Sequence, residues 1–346
     1  MPERWELRQM QSLPLAAKVS MTESRIREWV TEYGEDGVYV SFSGGKDSTV
    51  LLDIVRRMYS GIEAVFVNTG LEYPEIQQFV KTFDNVTILR PKKRFDEVIK
   101  IYGYPMISKE VSECVGQGRI ALERNDGTYT YRLKRLNGDV KQPGGYLDMS
   151  KWKPLLDVDF RLSANCCSIM KKSPLKAHEK KTGKHPITAQ MATESRLRTQ
   201  KWLQHGCNAF ESKNPISNPM SFWTEQDVLR YIKVNDLPIA SVYGAIVEKD
   251  EAGYEYDTNL VGEQIGKYYT TGCNRTGCIF CAFGCHLEKS PTRFQLLKQT
   301  HPHQYNYCIG GGEYVDGIWQ PSKEGLGMGH VFDELNAIYG DGFIKY

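Results

Sequence analysis

Apolar and polar positions alternate along this chain with two different periods. Gly37-Val38-Tyr39-Val40 is a short β-branched run that reads as a buried strand. Thr49 to Val55 then reads as a helix. Ala64-Val65-Phe66-Val67-Asn68-Thr69-Gly70 is a second strand, and Leu71-Glu72-Tyr73-Pro74-Glu75 opens a helix through Phe79 and Val80. Val86-Thr87-Ile88-Leu89 is a third strand, and Phe95 to Tyr102 a third short helix. Pro105 to Val111 leads into a helix with Ile120 and Leu122. Upstream, Thr22 or Ser24 is expected to cap a helix through Ile26, Trp29 and Val30 that ends near Gly34. Downstream come a strand at His185–Ala189 and a helix through Val228, Leu229, Tyr231 and Ile232. Thr224 is its expected N-cap and Asp227 its third-position acid. A last helix lies near Val331 to Ile338. Strands alternating with helices at these lengths predict an α/β fold with a doubly wound parallel sheet. Ligands of such sheets bind beyond the carboxyl ends of the strands.

The alternation divides the chain into an N-terminal helical segment (1–34), an α/β domain (35–265) and a cysteine-rich C-terminal region (266–346). Residues 125–152 interrupt the middle domain with Gly, Asn, Asp and Tyr, and read as a hairpin or loop insertion. At 346 residues the chain can bury a full core. A net charge of +2 gives no global signal for nucleic acid. No apolar run reaches the length of a membrane span, and Met1 to Glu6 lacks the apolar core of a signal peptide. The expected location is therefore the cytoplasm. Nine cysteines in a reducing compartment point to metal or redox chemistry rather than a disulfide framework.

Between the first strand and its helix lies Ser41-Phe42-Ser43-Gly44-Gly45-Lys46-Asp47-Ser48. Gly44 and Gly45 allow backbone to approach a phosphate closely. The free N–H groups of the helix start point toward it. Lys46 adds positive charge, and Ser41, Ser43 and Ser48 bring hydroxyls. Asp47 is unfavourable beside a phosphate and is expected to cap the helix or to hold Mg²⁺. Gly45-Lys46 is followed by Asp47, so this is not the Gly-x₄-Gly-Lys-Ser/Thr loop. The pattern Ser-Gly-Gly-x-Asp-Ser resembles the PP-loop of the ATP pyrophosphatase superfamily, whose members hold the phosphates of ATP or the phosphosulfate of an adenylated sulfate.

Asn68-Thr69-Gly70-Leu71-Glu72-Tyr73-Pro74-Glu75 narrows the resemblance to the APS/PAPS reductase family. It implies that Asn68, Thr69, Gly70 and Glu75 lie against an adenine nucleotide. Adjacent cysteines in Asn165-Cys166-Cys167-Ser168-Ile169-Met170-Lys171-Lys172-Ser173-Pro174-Leu175 resemble the cluster-binding segment of the iron–sulfur members. Ala189-Gln190-Met191 stands where the family often has Gly-x-Arg before the Glu194-Ser195 pair. Arg196 or Arg198 is the candidate replacement, since a guanidinium binds phosphate in bidentate fashion.

Residues 270–286 read Thr-Thr-Gly-Cys-Asn-Arg-Thr-Gly-Cys-Ile-Phe-Cys-Ala-Phe-Gly-Cys-His. Thiolates at this density suit a soft metal or an iron–sulfur cluster. Three ligand sets compete. The resemblance implies Cys166, Cys167, Cys278 and Cys281 around a 4Fe-4S cluster. The local set Cys273, Cys278, Cys281 and Cys285 contains the Cys-x₄-Cys-x₂-Cys spacing of plant-type ferredoxins. Zinc, with His286 among the ligands, is the third.

The sequence departs from the family in its tail, which carries no cysteine after Cys308. Sulfonucleotide reductases use a cysteine there to take sulfite from the substrate. Two mechanisms follow from the resemblance: attack on APS or PAPS by another cysteine, or cleavage of ATP to adenylate an acceptor for sulfur insertion, as in DNA phosphorothioation and RNA thiolation. Lys46 and Asp47 are the candidate catalytic groups for either. The expected partners are an adenine nucleotide, a sulfur or electron donor protein, a nucleic-acid acceptor under the second mechanism, and a second copy of the chain. A nucleotide-binding redox sensor without turnover is the alternative of another class.

Overall fold

The computed structural model describes residues 2–249 and 267–346. The chain forms two compact units, each assembled from separate segments. The first comprises 1–68, 72–90 and 174–277, and the second 69–71, 91–173 and 278–346. This division cuts across the linear partition expected from the sequence, whose boundary at 265/266 lies outside the described residues.

The first unit is built on a six-stranded sheet. β1 (Val38–Ser41) lies between β2 (Ala64–Val67) and the strand His185–Ile187, parallel to both. β3 (Val86–Leu89) pairs in parallel on the outer side of β2. Beyond His185–Ile187 comes the parallel strand Ile216–Ser217, and an antiparallel strand Asn208–Ala209 forms the far edge. The predicted doubly wound parallel sheet is present; Val86–Leu89 has the expected bounds, while the strands at Ala64 and His185 end at Val67 and Ile187, earlier than the apolar runs suggest. Val38, Val40 and Phe42 pack with Val50, Leu51 and Ile54 of the helix Lys46–Met58, and with Ile26, Trp29, Ile187 and Trp223. All of these are buried, so apolar burial fixes the strand–turn–helix unit in place.

One helix boundary differs from expectation. The helix reaching Tyr33 starts at Leu15, directly after Pro14, so Thr22 and Ser24 lie in its middle and cap nothing. Thr22 is buried instead, donating to Pro219 O at 3.2 Å and accepting the Trp223 indole N–H at 2.9 Å. Thr224 does cap the helix Glu225–Val234, in a reciprocal capping box with Asp227. The Asp227 carboxylate also meets the buried Lys18 ammonium at 2.6 Å.

The second unit is largely helical, with Phe95–Tyr102, Lys109–Arg124, Arg293–Thr300, Pro302–Ile309 and Met328–Tyr339. Its core gathers Tyr104, Phe160, Phe294, Met328, Phe332 and Leu335. The insertion at 125–152 is not a hairpin: it holds the helix Thr130–Asn137, followed by a 3₁₀ turn at Ser150–Leu156. Its turn residues flank the helix rather than join strands. Asn125 closes the preceding helix in the left-handed conformation, and Gly138 does the same after Asn137.

Candidate functional site

The Ser/Gly turn after β1 leads into the helix Lys46–Met58 with Gly45 at the N-cap. Asp47 is therefore the second residue of the helix and makes no cap bond, contrary to expectation. Gly44 has φ +72°, and a Cβ there would meet Val80 and Ile76 methyls at 2.7 and 2.8 Å. Only glycine combines that left-handed backbone with that approach. The hydroxyls knit the turn from within. Ser48 Oγ accepts the Ser43 N–H at 3.2 Å and donates to Gly45 O at 2.9 Å, while Ser43 Oγ accepts the Gly45 N–H at 3.3 Å.

A second layer comes from far along the chain. The Lys46 N–H, at the first turn of the helix, donates to the Tyr243 hydroxyl at 3.1 Å. That hydroxyl shares a 2.6 Å hydrogen bond with Thr276. The Lys46 ammonium is buried and donates to Asn274 O at 3.0 Å, with Glu225 at 3.1 Å and Asp47 at 3.6 Å. Burial works against its charge, but Asp47, Tyr243 and Glu225 together hold its pKa above the usual lysine value. Burial likewise raises the Asp47 carboxyl, against the pull of Lys46 and Arg275. Asp47 Oδ1 is buried with no hydrogen-bond partner.

Ser195 caps the helix Arg196–His205, and Arg198 in its first turn pairs with Glu194. The Arg198 guanidinium is lowered in pKa by burial and then by the like charge of Arg275. Arg198 thus feels the charges of Arg275 and of Asp47 in the loop. Glu75 stands in the first turn of the helix Pro74–Val80. The stretch 68–70 is split between the units: Asn68 belongs to the first, where its N–H donates to Leu89 O, while Thr69 and Gly70 belong to the second.

In the second unit one short strand organises the cysteines. Met106–Ile107 pairs in parallel with Ala282–Phe283, one residue after Cys281. On the same stretch, Tyr104 bridges Leu162, four residues before Cys166. The cysteine pair then enters a π-helical turn, Ser168–Lys172, a geometry frequent at functional sites. Cys166 and Cys167 share a hydrogen bond, and the thiols of Cys278 and Cys281 both act on Cys166 electrostatically. The Cys166 bond and the ammonium groups of Lys109 and Lys171 pull the Cys167 thiol well below the ordinary cysteine range. Cys166 is pushed up correspondingly, and burial raises Cys281. Lys109 was not singled out by sequence, because nothing local links it to the thiols.

The alternates stand apart from this arrangement in different ways. Cys285 is buried and pushed up to about 12 by burial. Cys273 belongs to the first unit, its thiol donating to Arg275 O at 2.7 Å. The His286 ring packs against Trp152 and Phe343, its centroid 6.1 and 5.1 Å from theirs. Among the described residues, no three His, Cys, Asp or Glu side chains are grouped closely enough to hold a metal ion.

A family model, the phosphoadenosine phosphosulfate reductase domain, matches residues 37–114 and 140–282, more than half of the chain. The chain belongs to this family. The matched residues of this PAPS reductase family member include the whole Ser/Gly turn, Cys166, Cys167, Cys278 and Cys281, and they omit 115–139. A phosphoadenosine 5'-phosphosulfate reductase from Xylella fastidiosa is 22% identical over 229 residues, covering 66% of this chain and 76% of that protein. An uncharacterised protein from Methanocaldococcus jannaschii is 22% identical over 277 residues, covering 79% of this chain. The chain spans only 46% of that relative's length. A crystal structure of PAPS reductase from Candida auris, in complex with phosphate, overlaps 70% of this chain and 91% of its own, at 15% identity and a TM-score of 0.36.

Sequence reasoning nominated the loop residues but not the second layer around them. The sequence by itself assigns no role to Tyr243, Glu225, Asn274, Arg275 or Thr276. A signal existed for the last three, because they sit within the cysteine-rich stretch, but there they read as spacers. No helix among the described residues is long and apolar enough to cross a membrane.

Proposed function

We propose that this PAPS reductase family member binds an adenine nucleotide at the Ser41–Ser48 loop and acts in sulfur chemistry, as a sulfonucleotide reductase or a sulfur-transfer enzyme. The observation that carries the reading is the loop itself: a Ser/Gly turn closed by its own hydroxyls at a helix N-terminus, in a chain of this family. A phosphate there would take over the hydrogen bonds that the Ser43, Gly45 and Lys46 amides make to hydroxyls, at a turn whose shape is already set. Ser43, Gly44, Gly45 and Ser48 form the phosphate cradle, with Ser41 at its entry and Lys46 behind it. Arg196 and Arg198 are the flanking cations, and Asn68 and Glu75, in the same unit as the loop, are assigned to the adenosine. The orphaned Asp47 Oδ1 suits a Mg²⁺ that arrives with the nucleotide.

Cys166, Cys167, Cys278 and Cys281 are the proposed ligands of a 4Fe-4S cluster. Thiol sulfur is the donor chemistry of such a cluster, and Lys109 and Lys171 favour the thiolate of Cys167. A bound cluster would supply electron transfer or polarise sulfur. Zinc on the same thiols is the alternative.

A specific observation favours the sulfur-insertion reading. Cys308 is fully buried with its thiol on Met328 Sδ at 3.4 Å, and burial raises its pKa well above the ordinary value. It is not placed to attack a sulfonate. Cleavage of ATP to AMP and pyrophosphate, with adenylation of an acceptor, needs no such thiol. The test is anaerobic purification with iron, sulfide and zinc analysis, then incubation with labelled ATP, APS and PAPS. Sulfite release identifies a reductase, and pyrophosphate release from ATP a sulfur-insertion enzyme. Binding of nucleotide with neither product identifies a sensor and removes the enzymatic reading.

A further inference from the structure

The lysine of the loop is not a loose cation waiting for phosphate. Lys46 is 3% exposed, and an ammonium has three N–H donors. Around this one stand Asn274 O at 3.0 Å and Glu225 at 3.1 Å, with the Asp47 carboxylate at ion-pair distance, 3.6 Å. Two of them are carboxylates, so its charge is already met within the unit.

The segment that supplies Asn274 is itself fastened to the loop's surroundings. Gly272 N–H donates to Tyr243 O and Cys273 N–H to Val242 O, each at 2.9 Å. Thr276 is anchored at the other end by its 2.6 Å bond to the Tyr243 hydroxyl. A Cβ on Gly45 would lie 3.2 Å from Thr276 Oγ1, so the segment rests directly on the loop. Arg275 stands between these two anchored residues with an exposed side chain. Its charge reaches both Asp47 and Arg198. Two guanidinium groups that repel each other near a helix N-terminus form a place for an anion, since a shared phosphate removes the repulsion and accepts bidentate bonds from each.

We propose that Arg275, with Arg198 beside it, is the anion-binding cation of the Ser41–Ser48 loop, and that Lys46 is a positioning residue that holds the 274–276 turn against it. The ligand group is a phosphate or phosphosulfate carrying two or more negative charges. This rests on the reading of the loop as a nucleotide phosphate site.

The experiment is calorimetric titration of the full chain with inorganic pyrophosphate, ATP and APS, alongside thermal melting. Arg275→Ala is expected to weaken pyrophosphate at least tenfold with an unchanged melting temperature, because the side chain is exposed. Arg275→Lys should recover only part of the loss. Lys46→Met should weaken binding and also lower the melting temperature. An Arg275→Ala protein that binds all three ligands as the parent does overturns the inference and leaves the loop reading intact. Loss confined to APS would assign Arg275 to the sulfonate, whereas equal loss for all three assigns it to the shared phosphate. If the parent chain binds none of the three, the loop reading falls and the inference with it.

Discussion

The phosphate loop and the cysteine pair are expected to hold inorganic groups of opposite charge, an anion at the one and a cationic metal centre at the other, and the chain prepares them in opposite ways. Around the loop the donors have internal acceptors: Ser43 and Ser48 bond each other, the Lys46 N–H has Tyr243, and the Lys46 ammonium has Asn274 and two carboxylates nearby. The surroundings of the cysteines are unbalanced instead. Cys166 and Cys167 are driven apart in pKa, with lysines gathered beside thiols and no acidic partner among the causes of the Cys167 shift. A phosphate can exchange hydrogen bonds with a preformed turn, and preorganisation lowers the cost of binding it. A metal centre must deprotonate its ligands, so the protein stores the bias toward thiolate in neighbouring charge.

The sharpest way to break this comparison is to remove a thiol. Cys167→Ser or Cys281→Ser is expected to abolish retention of iron and sulfide, from about four iron per chain to none. The melting behaviour of the first unit should stay unchanged. Full iron content in both variants would mean that the cysteine region is not a metal site and that the contrast is false.

Next in size is the buried pair that supports the loop unit. Asp227→Ala leaves the Lys18 ammonium, 2% exposed, without its 2.6 Å partner. Breaking such a pair costs about 3–5 kcal/mol, read as a lowered urea midpoint. Lys18→Met should cost less, since no buried charge is stranded. A smaller effect is expected at the turn. Gly44→Val must adopt φ +72° and displace the Val80 and Ile76 methyls, a loss on the order of 1–3 kcal/mol. It should also weaken pyrophosphate binding. Unaltered binding would show that the turn does not need its preformed shape.

The smallest effect is a pH dependence outside both sites. Burial opposes the Glu63 carboxylate, but Lys184 at 2.7 Å and the Thr87 hydroxyl hold its pKa below the usual value. Its folded pKa is depressed, so it contributes stability that is present above the unfolded glutamate value. That contribution is lost as pH falls through the folded one. Glu63→Gln should flatten this acid limb in denaturant midpoints measured across pH. An unchanged limb would assign the acid sensitivity elsewhere.

The local chemistry of the chain determined a good deal by itself. The run Val38–Val40, the two glycines and the apolar face of Val50, Leu51 and Ile54 specify a strand, a turn and a helix. Each depends on neighbours within one or two turns of chain. The Thr224–Asp227 box follows from the same short range. Where the sequence misled, the missing information was non-local. Thr22 looks like a cap until Leu15 starts the helix and Trp223 takes its hydroxyl. Asp47 looks like a cap until Gly45 occupies that position. Residues 130–137 look like loop until they pack as a helix between left-handed turns.

Only the tertiary structure decided what surrounds the candidate groups. Asn274 reaches the Lys46 ammonium across 228 residues, and Tyr243 reaches the Lys46 amide across 197. Lys109 comes beside Cys167 because Met106–Ile107 is paired with the strand that follows Cys281. Periodicity and capping record which face of a segment is buried, and carry no record of which remote segment buries it. Charge balance, thiol acidity and access to an anion depend on that remote segment, because Coulomb and desolvation energies act through space rather than along the chain.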